Sequence, residues 1–364
     1  VEMITTSSVG GTTTGIHDAI QERYDSAEGL TFVILVGDGQ QLPSYSGAYE
    51  GANDDTRFVR LDGSDVYPDA LISRISAQNL TDVQTQVTKL VTYERDIMGA
   101  ADWTHMAAGV ASNEGNPTDA ERMDWIRDDL LAYTFTDVDR IYQGQGGSTQ
   151  MIADAVNDGR SVVNYLGHGS GTAWSSVYFN NNNVHQLTNT AWPWIIDVAC
   201  LNGGIGAIGE SFDEAWMRAG SPTQPHGAIG VYGSSTSCSW VPPTLMQAEA
   251  IDLLVNDTSS VLGVLMHAGI MRVLDDYGTT GVGLQMVEQY NLFGDCSLVV
   301  RTDSPNAMDV AHQPVVPLMT PTFGVDTGVP NVTVTLSGNG VIYGTGTTDD
   351  LGHVKIVPHK FYGI

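Results

Sequence analysis

The sequence predicts an α/β fold, with a mostly parallel sheet flanked by helices and a smaller all-β module at the C-terminal end. Three observations carry this. Short apolar runs rich in β-branched residues, Ser161–Leu166 (SVVNYL) and Trp194–Ala199 (WIIDVA), lack polar alternation, as strands buried on both faces do. Such runs alternate with longer helical patterns through most of the chain. From about Asn306 the pattern changes to frequent proline and short alternating strands.

The first strand is Thr31–Val36, preceded by a helix-like stretch, Ile16–Tyr24. A long polar loop leads to strand Ala70–Ile75 and a helix from Asn79 to about Asp96, which Thr81 and Gln84 are placed to cap as a box. Gly99–Thr104 reads as a hinge between two sub-domains. Beyond it come strand Met106–Ala111, helix Thr118–Tyr133, strand Arg140–Tyr142 and helix Ser148–Asn157. The two apolar runs follow, then helix Glu210–Ala219, strand Ala228–Tyr232 and helices Thr244–Val255 and Val261–Tyr277. Val332–Leu336, Val341–Gly344 and Val354–Val357 are the strands of the last module. The expected domains are 1–103, 104–306 and 307–364.

Bulk properties exclude several functions. A net charge of −27 with only 15 Lys and Arg argues against a nucleic-acid partner, because phosphate binding needs clustered cations. No apolar run reaches the roughly 18 residues of a membrane span. The acidity suits a saline or extracellular setting. Three cysteines do not make a disulfide scaffold; Cys238 and Cys296 read either as a pair or as small core residues. The chain begins at Val1 with no signal segment, which reads as a piece processed from a longer precursor.

Each apolar run ends in a reactive side chain followed by glycine. One runs into Gly167-His168-Gly169-Ser170, the other into Cys200-Leu201-Asn202-Gly203-Gly204. Adjacent parallel strands would hold thiol and imidazole at one carboxyl-end rim, where open α/β sheets gather ligands. That is what a cysteine nucleophile with a general base needs. Cys200 is the expected nucleophile and His168 the acid/base, with the glycines bending the backbone around them. The N–H groups of Gly169 and Cys200 then form the oxyanion hole.

The motif GHGSGTAW at Gly167–Trp174, followed by DVACLNGG at Asp197–Gly204, resembles the gingipain (C25) cysteine peptidases of the caspase-like clan. TFVILVGD at Thr31–Asp38, VTYER at Val91–Arg95, ASNEG at Ala111–Gly115, AWMRA at Ala215–Ala219, GAIGVYGSSTSCSW at Gly227–Trp240 and FGDCSLVVRT at Phe293–Thr302 extend the resemblance in order to about residue 306. It implies a caspase/gingipain-like sandwich followed by a partial immunoglobulin-like β module. The resemblance implies a further βα unit upstream of the helix-like stretch Ile16–Tyr24, so a cleaved N-terminal fragment or pro-segment is an expected partner.

The resemblance also implies a secreted endopeptidase, extracellular or at the cell surface, acting on proteins or peptides without a catalytic cofactor. Glu114 falls where the family's acid orients the histidine. Trp240 matches the aromatic that lines the P1 pocket, with Leu166, Val198 and Thr244 at neighbouring pocket positions. Asp119 lies nearest the acid that pairs with a P1 guanidinium in arginine-specific members, and Asp124 is the reserve; Asp119 equally fits an acid favoured at a helix N-terminus. Lysine-specific members carry an acid shortly after the tryptophan, where this chain has Pro242-Pro243, so cleavage after Arg is expected with Lys weaker. Structural calcium is a further expectation, on the loop carboxylates Asp54, Asp55, Asp62 and Asp65. The rival readings are an inactive adhesin or scaffold and a transpeptidase or amidase using the same thiol and imidazole.

Overall fold

The apolar runs line up in one eight-stranded sheet. In the computed structural model, which describes residues 1–26, 29–96, 101–206, 209–305, 307–317, 320–339 and 341–358, the first four strands are β1 (Phe32–Val36), β2 (Leu71–Ile75), β3 (Met106–Ala111) and β4 (Asp137–Tyr142). The other four are β5 (Val162–Leu166), β6 (Trp194–Val198), β7 (Gly230–Ser234) and β8 (Tyr290–Phe293). Their order is β1-β2-β8-β7-β6-β5-β3-β4. Every neighbouring pair is parallel except β7 and β8, so the sheet is mixed but mostly parallel. β8 joins the strands on either side of it, pairing with β2 through Phe293 and Arg74.

Nine helices flank the sheet among the described residues: α1 (Thr13–Tyr24), α2 (Leu80–Val91), α3 (Asp119–Ala132), α4 (Thr149–Asp158), α5 (Asn181–His185), α6 (Phe212–Arg218), α7 (Pro242–Val255), α8 (Leu262–Tyr277) and α9 (Val282–Gln289). Alternate residues of β5 and β6 feed two cores, which is why these runs carry no polar face. Val162, Leu166, Trp194, Ile196 and Val198 pack with Met246, Ile251 and Leu265 on one side. Val163, Tyr165, Ile195 and Ala199 pack with Ile152, Phe212 and Trp216 on the other.

Local signals place the helix ends. Thr118 and Glu121 form a capping box on α3, and α7 opens on Pro242-Pro243, whose missing N–H groups are not needed in a first turn. The cap of α2 is Asn79, whose side chain accepts the Asp82 N–H, rather than the Thr81–Gln84 box. That helix stops at Val91 and continues to Asp96 as a wider π turn. Gly99 and Ala100 of the expected hinge lie outside the described residues; the segment Asp102–His105 is a short 3-10 helix. α9 and β8 escape sequence reading because helix passes into strand at Gln289–Tyr290 with no turn residue between them.

Two compact units result, Val1–Ser304 and Pro305–Ile364. The second holds β9 (Ala311–His312), β10 (Phe323–Asp326), β11 (Thr333–Gly338), β12 (Val341–Thr347) and β13 (His353–Ile356). These form the antiparallel sheets β9-β10-β13 and β11-β12 around Phe323, Val325, Val354 and Ile356, with Val334 and Leu336 packed against them. Two small antiparallel sheets therefore stand where the resemblance put an immunoglobulin-like module.

Candidate active site

β5 and β6 are neighbours in register, with Leu166 opposite Val198. His168 and Cys200 each follow two residues later, so parallel pairing alone delivers imidazole and thiol to the same rim. The Gly167 N–H donates to Val198 O at 3.1 Å and carries the pairing one step past the strands.

The glycines do something other than the bending expected of them. Neither Gly169 nor Gly203 has a positive φ; the left-handed residue after Cys200 is Leu201, at φ 70°. Gly169 is required by close approach, since a Cβ there would lie 2.1 Å from Cys200 O. A Cβ on Gly203 would lie 2.6 Å from Gly233 O, where the loop is held to β7 by the Gly203 N–H to Ser234 O at 2.8 Å. Strain at Leu201 and contact at Gly169 and Gly203 together fix the sharp turn that carries Cys200.

Glu114 reaches the imidazole. His168 Nε2 lies 3.2 Å and 3.3 Å from its two carboxylate oxygens, with both side chains half exposed. The His168 N–H donates to the Ser176 hydroxyl at 3.1 Å, and its carbonyl accepts from the Tyr165 hydroxyl at 2.8 Å. On its other flank the ring meets Trp240 edge-on, at a centroid distance of 4.8 Å. The Trp240 indole N–H donates at 3.1 Å to Asp119 Oδ1, while the Ser112 hydroxyl donates to Asp119 Oδ2. Asp119 is fully buried at the first position of α3, and burial raises its pKa against those two bonds. Ser112, which also accepts the Glu114 N–H at 3.1 Å, is a site residue that sequence reading missed.

Cys238 is the other missed residue. All three cysteines are free, and Cys238 is not paired with Cys296; it is half-buried, packing against the larger core at the edge of the site. Its Sγ lies 3.8 Å from Cys200 Sγ, and its N–H donates to that sulfur at 3.4 Å. The Cys238 thiol and N–H, with a further pull from His168, bring the Cys200 thiol down to about 6 against the cost of burial. Cys238 is pushed up in turn by the Cys200 beside it. Cys296 sits apart, buried, with its sulfur toward Val33 O and Leu71 O.

Behind the rim, Asn202 ties the two loops together. It accepts the Gly171 N–H at 3.1 Å, donates to Asp197 Oδ2 at 2.9 Å, and its carbonyl accepts the Asp213 N–H at 3.1 Å. Burial pushes Asp197 up to about 6 and Asp213 well above the ordinary carboxylate range.

Other expected residues lie elsewhere. Leu166 and Val198 are fully packed in the core and offer no surface to a ligand. Thr244 is buried in the first turn of α7, where its hydroxyl donates to Val241 O and accepts from Arg122 at 3.3 Å. The reserve acid Asp124 is committed to Arg140 at 2.7 Å and the Tyr142 hydroxyl at 2.8 Å. The calcium ligand set does not fit. Asp54 pairs with Arg60 at 2.9 Å and Asp55 holds Arg74 through both oxygens, so a cation would have to displace two guanidiniums. Asp65 instead caps its own loop at the Tyr67 N–H, and the Asp62 N–H goes to Asp69. Among the described residues no three acidic, His or Cys side chains are grouped to hold a metal ion.

The family model described as peptidase family C25 matches residues 1–301, which takes in every one of these site residues. The chain belongs to peptidase family C25. It is 31% identical over 351 residues to gingipain R1 of Porphyromonas gingivalis, covering 93% of this chain and 35% of that protein. To gingipain R2 of Porphyromonas gingivalis it is 32% identical over 351 residues, covering 93% and 47%. The chain thus spans between about a third and a half of these C25 relatives' length. Its fold matches the crystal structure of the Arg-specific cysteine proteinase gingipain R with a TM-score of 0.91 and 31% identity, over 96% of this chain and 82% of that one. A complex of the pro- and mature domains of a Porphyromonas gingivalis gingipain matches with a TM-score of 0.93 and 30% identity, over 99% and 87%. Among the described residues of this C25 chain no helix is long and apolar enough to cross a membrane.

Proposed function

We propose that this chain is a secreted cysteine endopeptidase that hydrolyses peptide bonds with Cys200 as nucleophile, His168 as acid/base and Glu114 as orienter. The observation that carries this reading is the register of β5 and β6, which brings a thiol of lowered pKa and an imidazole held by a carboxylate to one rim.

The chemistry follows from that geometry. Glu114 occupies the Nε2 side of the ring, which leaves Nδ1 for proton transfer at the thiol. The thiolate attacks the scissile carbonyl, and the oxyanion is met by the N–H groups of Gly169 and Cys200. The ladder bonds flanking Gly169 run from Ser170 N–H to Ala173 O and from Ser175 N–H to His168 O, so they leave the Gly169 N–H out. Each such donor is worth about 3 kcal/mol in the transition state. His168 gives its proton to the leaving amine, and the thioester is then hydrolysed by water that His168 deprotonates.

The P1 residue in this reading is Arg, with Lys weaker. Asp119 is a buried carboxylate held by two neutral donors, and a guanidinium replacing the Trp240 N–H would gain a charge-assisted bidentate bond with the indole face beside it. The Arg specificity named for the gingipain R structure supports this. The net charge of −27 favours cationic peptides at low salt and suits an extracellular or cell-surface setting. A pro-segment partner is supported by the pro- and mature-domain complex of the Porphyromonas protein.

The test is incubation of wild type and Cys200→Ala with peptide substrates, followed by mass spectrometry of the products. Hydrolysed peptides with wild type alone are expected. Ligated peptides would point to a transpeptidase, and unchanged peptides to an inactive scaffold.

A further inference from the structure

Cys238 enters the mechanism above only as a donor that lowers the pKa of Cys200, yet its own sulfur sits against the nucleophile. The sulfurs of Cys200 and Cys238 are in van der Waals contact at 3.8 Å, and both side chains are only half buried. Backbone bonds, not side-chain chance, hold them there. Leu201 N–H donates to Thr236 O at 3.0 Å and Gly203 N–H to Ser234 O at 2.8 Å, so the loop carrying Cys200 is zipped along the segment carrying Cys238. That segment is pinned further by the Gln289 side-chain amide, which donates to Thr236 Oγ1 at 2.7 Å and to Ser237 O. A hydrogen-bond donor to the thiolate could be a serine or an amide. A second sulfur in contact adds a chemistry that neither of them has.

We infer that Cys200 and Cys238 form a reversible dithiol–disulfide site that takes a hydroperoxide as oxidant and turns the peptidase off. The loss of activity rests on the reading of Cys200 as nucleophile; the disulfide itself does not. In the first step the Cys200 thiolate attacks the O–O bond of the hydroperoxide. An S–O bond forms and the O–O bond breaks. Sulfur is oxidised by two electrons, and the departing alkoxide or hydroxide takes a proton to leave as alcohol or water. In the second step the Cys238 sulfur attacks the sulfenic sulfur of Cys200. The S–S bond forms, the S–O bond breaks, and the hydroxyl leaves as water with the proton from Cys238. Two thiols and one hydroperoxide thus give one disulfide, one alcohol (or water) and one water.

The order of events follows from the site. Cys200 is the sulfur kept as thiolate near neutral pH, so it is the one that meets the oxidant. The hydrogen bond to the Cys200 sulfur, together with burial and the Cys200 charge, holds the proton on Cys238, and oxidation of Cys200 removes that bond and that charge. A sulfenic acid without a thiol neighbour goes on to the irreversible sulfinic acid, so Cys238 also protects the nucleophile. Closing the pair asks the sulfurs to move from 3.8 Å to about 2.05 Å, between two loops already bonded together.

The experiment treats the reduced, full-length chain with a small excess of hydrogen peroxide, then alkylates and maps peptides without reduction. A cross-linked peptide joining Cys200 and Cys238 is expected, with Cys296 still a free thiol. Peptide hydrolysis should fall at least tenfold and return on adding dithiothreitol. In Cys238→Ala the same treatment should leave Cys200 as sulfinic acid, with activity that dithiothreitol does not restore. Wild type carrying oxidised Cys200 beside a free Cys238 thiol would overturn the inference, whatever the variant does. A disulfide that forms and opens in a chain with no peptidase activity at all would uphold the dithiol and overturn the nucleophile reading instead.

Discussion

The indole of Trp240 bonds Asp119 Oδ1 at 3.1 Å through its N–H and meets the ring of His168 at 4.8 Å. One side chain thus links the buried acid proposed to read the substrate with the imidazole proposed to move the proton. In the proposed Arg pocket a guanidinium at Asp119 would displace the indole N–H, and the ring against His168 would adjust with it. Asp119→Asn is expected to lower kcat/KM for Arg-P1 peptides by about 10- to 100-fold, since a hydrogen bond to a charged group is worth about 1.5–3 kcal/mol. Cleavage after uncharged residues should change far less. A positional-scanning library on wild type and variant checks this; an acidic or apolar P1 preference in the wild type would remove the pocket assignment and leave Cys200 and His168 untouched.

The lowered pKa of Cys200 predicts how it alkylates. Iodoacetamide should react at a rate that climbs with pH and reaches half its plateau near 6, well below an ordinary thiol. Cys238→Ala removes one of the two donors that hold the thiolate and leaves the backbone N–H, so the midpoint should move up. A midpoint that stays put in the variant would show that the neighbouring thiol does not act on Cys200.

Glu114 and His168 should differ sharply. The pair is half exposed on both sides, and exposed ion pairs contribute at most about 1 kcal/mol. Glu114→Gln should therefore cost roughly fivefold in kcat/KM. His168→Ala, which removes the proposed proton carrier, should cost at least about 100-fold. Equal losses in the two variants would mean that Glu114 takes a larger share in catalysis than its exposure allows.

Gly203→Ala should disable the enzyme although no side chain is lost. The added methyl would sit 2.6 Å from Gly233 O, a backbone atom in the middle of the sheet, so the Cys200 loop has to move instead. A displacement of about 1 Å near the chemistry costs on the order of 100-fold in rate. Gly324→Ala, with nothing within 4 Å of the new methyl, is the matching control and should be neutral. Steady-state rates and thermal melting of both variants decide the matter.

Stability should fall as pH rises, because of the acids behind the rim. Asp213 has a folded-state pKa well above its ordinary value, and Glu214 beside it is raised to about 7, both mainly by burial. A raised folded pKa gives stability that is complete below the unfolded value near 4 and is lost as pH climbs through the folded value. The Tm should accordingly drop between pH 5 and pH 8. Asp213→Asn, which stays neutral in both states, should shrink that drop. An unchanged pH dependence in the variant would assign the effect to other groups.

The strands were legible because burial on both faces leaves an uninterrupted apolar run, and two such runs ending in His168 and Cys200 pointed to the site directly. Glu114 and Trp240 came only through resemblance, since an acid in a chain with 42 of them carries no signal of its own. Tertiary structure decided the rest. The expected calcium ligands Asp54 and Asp55 are taken by Arg60 and Arg74, whose side chains reach them from 6 and 19 positions away in the chain. Leu166 and Val198 were taken by the core because they point to a sheet face already covered by helices. Cys238 reads from the sequence as a small core residue; the bonds from Leu201 to Thr236 and from Gly203 to Ser234 also bring its loop against Cys200. Period and motif are written along the chain, and so the sequence by itself determined every strand of the sheet but β8, and its reactive rim. Which side chain meets which across 38 residues depends on how separate loops pack, and only the folded chain decides that.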